Sequence, residues 1–164
     1  MPRHSGPLLV LDVAASLLAA RDCRASEWTG SLDLGRSLTM ASPGADYWTW
    51  RGQQFPYPAR LKERTIYCWD GDAFVAVSRF SGSLIKLVPT EWGAPTFEID
   101  GIKMLPTAKE SPFEDARRKV ALIEPRGKIV LDTCGGLGYF AACCLEAGVA
   151  RLQPSHAPRL VVDI

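Results

Sequence analysis

Residues 8–11 form a short apolar run, and residues 13–21 follow with apolar positions spaced for an amphipathic helix, so the chain is expected to open with a strand and a helix. From residue 26 to about residue 99 the period shortens to two. Polar and apolar side chains alternate over 26–34, 38–41 and 47–50, while 65–69, 73–80 and 83–88 are rich in β-branched and aromatic residues. Asp70-Gly71 and Ser81-Gly82 mark turns between these runs. The pattern predicts a meander of hairpins, broken by Pro56 and Pro58 before a short helical stretch at 59–64. Residues 88–95 (VPTEWGAP) and 104–112 (MLPTAKESP) read as loops. Ser111 and Glu114 then form a capping box with Pro112 at the first helical position, and the helix runs to about residue 123, where Pro125-Arg126-Gly127 stops it. Residues 128–132 (KIVLD) predict a strand, 133–138 (TCGGLG) a turn, and 139–147 a helix closed by Gly148.

This texture divides the chain into a β-rich domain at 1–103 and a second region at 104–164, with the boundary near residues 100–106. The 19 basic and 18 acidic side chains leave a formal charge of +1, which does not indicate a nucleic-acid binder, although a local basic patch can hide in the total. The aromatics Trp48, Trp50, Tyr57, Tyr67, Trp69, Phe74 and Phe80 either stack on bases or sugars or fill the core of a small sheet; few basic residues interleave with them, which favours the core. Five cysteines without CxxC spacing and two histidines, His4 and His156, favour reduced thiols in a cytoplasmic protein over disulfides or structural zinc. Residues 8–20 superficially copy a signal peptide, but Asp12 interrupts them and no small-x-small cleavage site follows. No run reaches the roughly 18 apolar residues of a membrane span.

Candidate chemistry lies in the strand–turn–helix segment. Gly136 and Gly138 permit a sharp turn and a close backbone approach to a ligand, and N–H groups at a helix start favour electronegative atoms. Asp132 ends the strand, where its carboxylate can accept hydrogen bonds from a ligand ammonium or from nearby backbone. Cys134 occupies the first glycine position of a D-x-G-x-G-x-G pattern. It reads as a small packing residue, since no histidine or second cysteine is placed to activate its thiol. A plain βα turn that happens to contain glycines is the competing interpretation.

VLDTCGGLGYFAA (residues 130–142) resembles motif I of a family of predicted archaeal methyltransferases, which carry V-L-D-T-C-T-G-L-G-Y. GIKMLPTAKESPFEDARRKV (101–120), SLDLG (31–35) and LVPTEWGAPTFEIDGI (87–102) resemble further segments of that family, so the likeness covers most of residues 26–150. The resemblance implies an α+β/α/β class: a β-rich N-terminal domain followed by the start of a Rossmann-like, class I methyltransferase domain that this chain leaves incomplete. It implies S-adenosylmethionine as cofactor, bound by Asp132, Cys134, Gly135, Gly136 and Gly138, with Gly135 replacing the family's threonine. Thr107, Asp115, Arg118 and Lys119 match the upstream motif and either face the cofactor or substrate or form a charged helix face with a capping threonine. The family also resembles spermidine synthases, which leaves aminopropyl transfer as an alternative. After Gly148 the likeness stops: Pro154 and Pro158 are expected to break any second strand, and the family's ribose-binding acid and Asp-Pro-Pro-type motif are missing. A late strand at 160–162 would make Asp163 a stand-in ribose ligand. The expectation is a truncated methyltransferase with impaired or no activity alone and an unassigned methyl acceptor. The other alternative is a non-catalytic, β-rich binding module, and an apolar strand at 129–131 would invite pairing with a second copy.

Overall fold

The computed structural model describes residues 6–105 and 107–154, so the expected strand at 160–162 and Asp163 lie outside the described residues. The chain divides into two compact units, one ending at Met104 and one beginning at Leu105.

The first unit holds one helix and three antiparallel sheets. β1 (Leu8–Leu9) leads into α1 (Leu11–Asp22) and pairs with β6 (Tyr67–Trp69), which pairs in turn with β7 (Phe74–Ala76). β2 (Trp28–Gly30), β3 (Thr39–Pro43), β4 (Tyr47–Trp50) and β5 (Gln53–Pro56) form a meander. A second meander contains β8 (Ser78–Phe80), β9 (Leu84–Val88), β10 (Thr96–Ile99) and β11 (Ile102–Lys103).

Several elements differ from the pattern, each for a local reason. The expected strand at 26–34 stops at Gly30 because residues 31–37 wind around the Asp33 carboxylate, which accepts from the Ser31 hydroxyl, the Arg36 and Ser37 amides and the Ser37 hydroxyl. Burial alone would raise this carboxyl; the hydrogen bonds from Ser37, Ser31 and Arg36 outweigh it and hold the group below its ordinary value. Residues 59–64 are not helical. Pro58 opens the segment, Arg64 takes a φ of 53°, and the Lys62 amide donates to the Tyr67 hydroxyl at 3.1 Å instead of to a helical carbonyl. The predicted strand at 73–80 is two strands, divided at Val77, whose amide donates to Ile66 and whose carbonyl accepts from Leu87. β5 was hidden by its closing proline. Its hairpin turns on Arg51 and Gly52, with φ of 51° and 77°, and Asp100 and Gly101 repeat that left-handed pair between β10 and β11 at 50° and 85°.

The core of this unit is aromatic. Phe55 is fully enclosed and stacks on Trp48 at 4.8 Å between ring centroids, meets Trp69 edge-on at 5.4 Å, and lies 6.3 Å from Phe74. Of the seven aromatics, Trp48, Trp50 and Tyr67 are buried in this cluster and Tyr57, Trp69 and Phe74 pack against it, whereas Phe80 is exposed. No helix among the described residues is long and apolar enough to cross a membrane.

The second unit contains α2 (Pro112–Ile123), β12 (Ile129–Asp132), α3 (Tyr139–Glu146) and β13 (Arg151–Pro154). The capping box of α2 is formed in both directions, Ser111 Oγ accepting from the Glu114 amide and Glu114 Oε2 from the Ser111 amide. β13 pairs parallel with β12 from Ile129↔Arg151 to Asp132↔Pro154, which corrects the expectation that Pro154 breaks a strand here. Proline takes the last position, where its missing N–H ends the ladder instead of interrupting it.

The fold class also needs correction. The expected α+β/α/β class with a Rossmann-like beginning extrapolated one strand–turn–helix motif into an architecture. The described residues instead form a β-rich protein: thirteen short strands, mostly antiparallel, with helices of only 12, 12 and 8 residues. A single strand–helix–strand passage does not make a Rossmann-like alternation, which needs repeated strand–helix units beneath a shared parallel sheet. Because Phe55 joins strands from two sheets, Phe55→Ala is expected to cost about 3–5 kcal/mol of stability in the first unit. Urea unfolding followed by tryptophan fluorescence measures this, and a loss below about 1 kcal/mol would contradict the central role given to the ring.

Candidate functional site

The turn at residues 132–138 is organised by the Asp132 carboxylate at its start. Asp132 is buried, and its Oδ1 accepts from the Cys134 amide at 3.1 Å and from the Gly135 amide at 2.9 Å. One carboxylate oxygen therefore serves the turn, as the backbone alternative for Asp132 anticipated. Gly135, Gly136 and Gly138 all have positive φ, at 31°, 54° and 83°, and the Gly138 amide donates to the Gly135 carbonyl at 2.8 Å. A Cβ on Gly135 or Gly138 would meet nothing, so backbone conformation, and not crowding, favours glycine at both. Gly138 is also the N-cap of α3 and supplies no side chain, which leaves the first amides of the helix without a side-chain cap.

Cys134 differs from the packing role expected of it. Its side chain is exposed, with Sγ 3.7 Å from the Thr133 hydroxyl, because the turn uses only its backbone amide. The thiols of Cys143 and Cys144 on α3 are buried. Burial pushes both up, and the Asp132 charge adds to the effect at Cys144, so these cysteines stay protonated packing groups.

α3 is held by a small core. Ala116 and Val120 of α2 pack with Cys143 and Cys144, and Phe113, Val130, Tyr139 and Leu152 close around them. The Phe113 and Tyr139 rings meet edge-to-face at 4.7 Å, directly at the start of α3, and burial raises the Tyr139 hydroxyl. The upstream residues group separately. Asp115 is buried and holds Lys119 Nζ at 2.6 Å and Arg118 at 3.2 Å, and Arg118 also binds Glu110 at 2.6 Å. These ion pairs occupy the charged groups among themselves on α2; Asp115 is not part of an exposed face, while Arg118 and Lys119 are exposed. Thr107 is buried in the segment preceding α2. The structure thus brings Asp132, Cys134, Gly135, Gly136 and Gly138 together through hydrogen bonds and chain continuity. Asp115, Arg118 and Lys119 form their own cluster.

Sequence reasoning passed over Glu98, a carboxylate only 4% exposed on β10. Its signal was the T-F-E-I pattern, with polar residues at both positions of one strand face.

No protein-family model matches the chain. The uncharacterized protein MJ1233 of Methanocaldococcus jannaschii is 45% identical over 93 residues. That stretch is 56% of this chain and 31% of the archaeal protein, so the chain spans about a third of the length of the curated relative it matches.

Since Asp132 Oδ1 holds two amides at once, Asp132→Ala should destabilise the second unit by about 1–3 kcal/mol, and Asp132→Asn, which keeps a carbonyl acceptor, by less. Thermal unfolding of the two variants tests this; equal losses would show that charge matters there more than the acceptor.

Proposed function

We propose that the turn at residues 132–138 is the S-adenosylmethionine contact of a methyltransferase, with aminopropyl transfer from the decarboxylated cofactor as the alternative chemistry. The observation that carries this reading is three left-handed glycines set between a carboxylate-ended strand and an uncapped helix start. Glycines at 135, 136 and 138 keep the backbone bare, so a ligand can approach the amides without meeting a Cβ. The positive end of α3 favours electronegative atoms of a nucleotide or amino-acid moiety. The cofactor, when bound, supplies an electrophilic methyl group on sulfonium.

The chain's own residues hold and orient. Asp132 fixes the turn through the Cys134 and Gly135 amides, and the Phe113–Tyr139 contact fixes where α3 begins. Positioning of this kind is the main catalytic device open to a methyl transfer. The resemblance of residues 130–142 to an archaeal methyltransferase motif supports the reading. We place its action in the cytoplasm, where five unpaired cysteines stay reduced.

Isothermal titration of the 164-residue chain with S-adenosylmethionine is expected to show binding weaker than low micromolar. Gly136→Val, which forces a β-branched residue to a φ of 54°, should abolish that binding and leave the unfolding transition of the first unit unchanged. Unaltered affinity in this variant would place the ligand elsewhere, and preference for the decarboxylated cofactor would favour aminopropyl transfer.

We further infer that the face of β12 carrying Ile129 and Leu131 pairs with a second copy. Both side chains are exposed, at 72% and 59%, on a strand that has one partner among the described residues. Sedimentation velocity should reveal a concentration-dependent dimer that Leu131→Lys returns to monomer. A monomer at every concentration would remove the interface.

A further inference from the structure

We propose that one face of the β8–β11 sheet is a binding site for a phosphate group, built around Lys86 and Arg64 above the buried carboxylate of Glu98. The register places Ser78, Lys86, Glu98 and Lys103 in one row across the four strands. Glu98 is charged and enclosed, a costly combination unless cations compensate it. Arg64, from the loop preceding β6, donates through Nη2 to Glu98 Oε1. Lys86 Nζ lies 3.9 Å from Oε2, close enough for an ion pair but too far for a hydrogen bond.

The row therefore has donors to spare. Arg64 uses one of its guanidinium nitrogens, and the Lys86 ammonium makes no hydrogen bond within the described residues. A ligand matching this set must bring acceptors and negative charge. An oxyanion with several equivalent oxygens meets both demands, and a guanidinium fork beside an ammonium group is suited to phosphate. Arg64 is 62% exposed and Lys86 28%, so the donors are open to solvent while the carboxylate beneath them is not. The site lies wholly in the first unit and is independent of the glycine turn.

Inorganic phosphate, adenosine monophosphate and a short single-stranded RNA of mixed sequence, titrated into the full chain at low salt, test the proposal. All three are expected to bind and to compete with one another. Lys86→Gln should weaken each at least tenfold, Lys86→Arg should retain binding, and Gly136→Val should leave it unchanged. Arg64→Lys, which keeps a cation over Glu98, should weaken phosphate while preserving the unfolding transition. Tighter binding of RNA with a steep salt dependence would identify a phosphodiester backbone as the source, and equal affinities would identify a small phosphate ligand. The proposal is overturned if none of the probes binds, or if they bind equally to the wild type, Lys86→Gln and Arg64→Lys.

Discussion

The first unit depends on the aromatic stack centred on Phe55. A small sheet needs its apolar face covered, because uncovered it removes too little apolar surface from water. Here Trp48 and Phe55 of one meander press against Trp69 and Phe74 of the β1–β6–β7 sheet, and each sheet becomes the cover of the other. The buried indoles retain polar partners where geometry permits: Trp28 Nε1 donates to the Ser16 hydroxyl at 3.0 Å and Trp50 Nε1 to the Thr39 hydroxyl at 2.9 Å. α1 is thereby tied to β2, and the short strands inherit a common core.

Loops then complete what the stack begins. The Asp33 knot ends β2 and places Gly35 beside Gly93, where a Cβ on Gly93 would stand 2.7 Å from the Leu34 carbonyl. Segments 31–35 and 87–102, both noted for their family likeness, meet at this backbone contact. Glycine at 35 and 93 is therefore explained first by the close packing of two loops, before any ligand is invoked.

In the second unit a similar economy operates on a smaller scale. The Asp132 carboxylate closes a turn whose glycines have little intrinsic rigidity, and the four-residue core of α2 and α3 keeps the helix start in place. Order is imposed by one buried acceptor and one aromatic edge, while the amides beyond Gly138 stay uncapped. That bare, side-chain-free backbone is the feature on which the proposed cofactor contact rests.

Local chemistry was legible in the sequence. The Ser111–Glu114 box, the hairpin glycines and the 128–148 strand–turn–helix all depend on residues within a few positions of one another, so their signals survive without tertiary contacts. The aromatic core was legible as composition, because so many large rings need burial wherever they meet. What the tertiary structure alone decided was pairing. Residues 59–64 lost their helix to the Tyr67 hydroxyl, β13 formed because β12 offered a parallel edge, and Glu98 became buried because Arg64 and Lys86 arrived from elsewhere in the chain. The same distinction governs the fold class: a motif specifies a turn, but an architecture is specified by which strands find one another, and those partners are separated by too much sequence for local pattern to name.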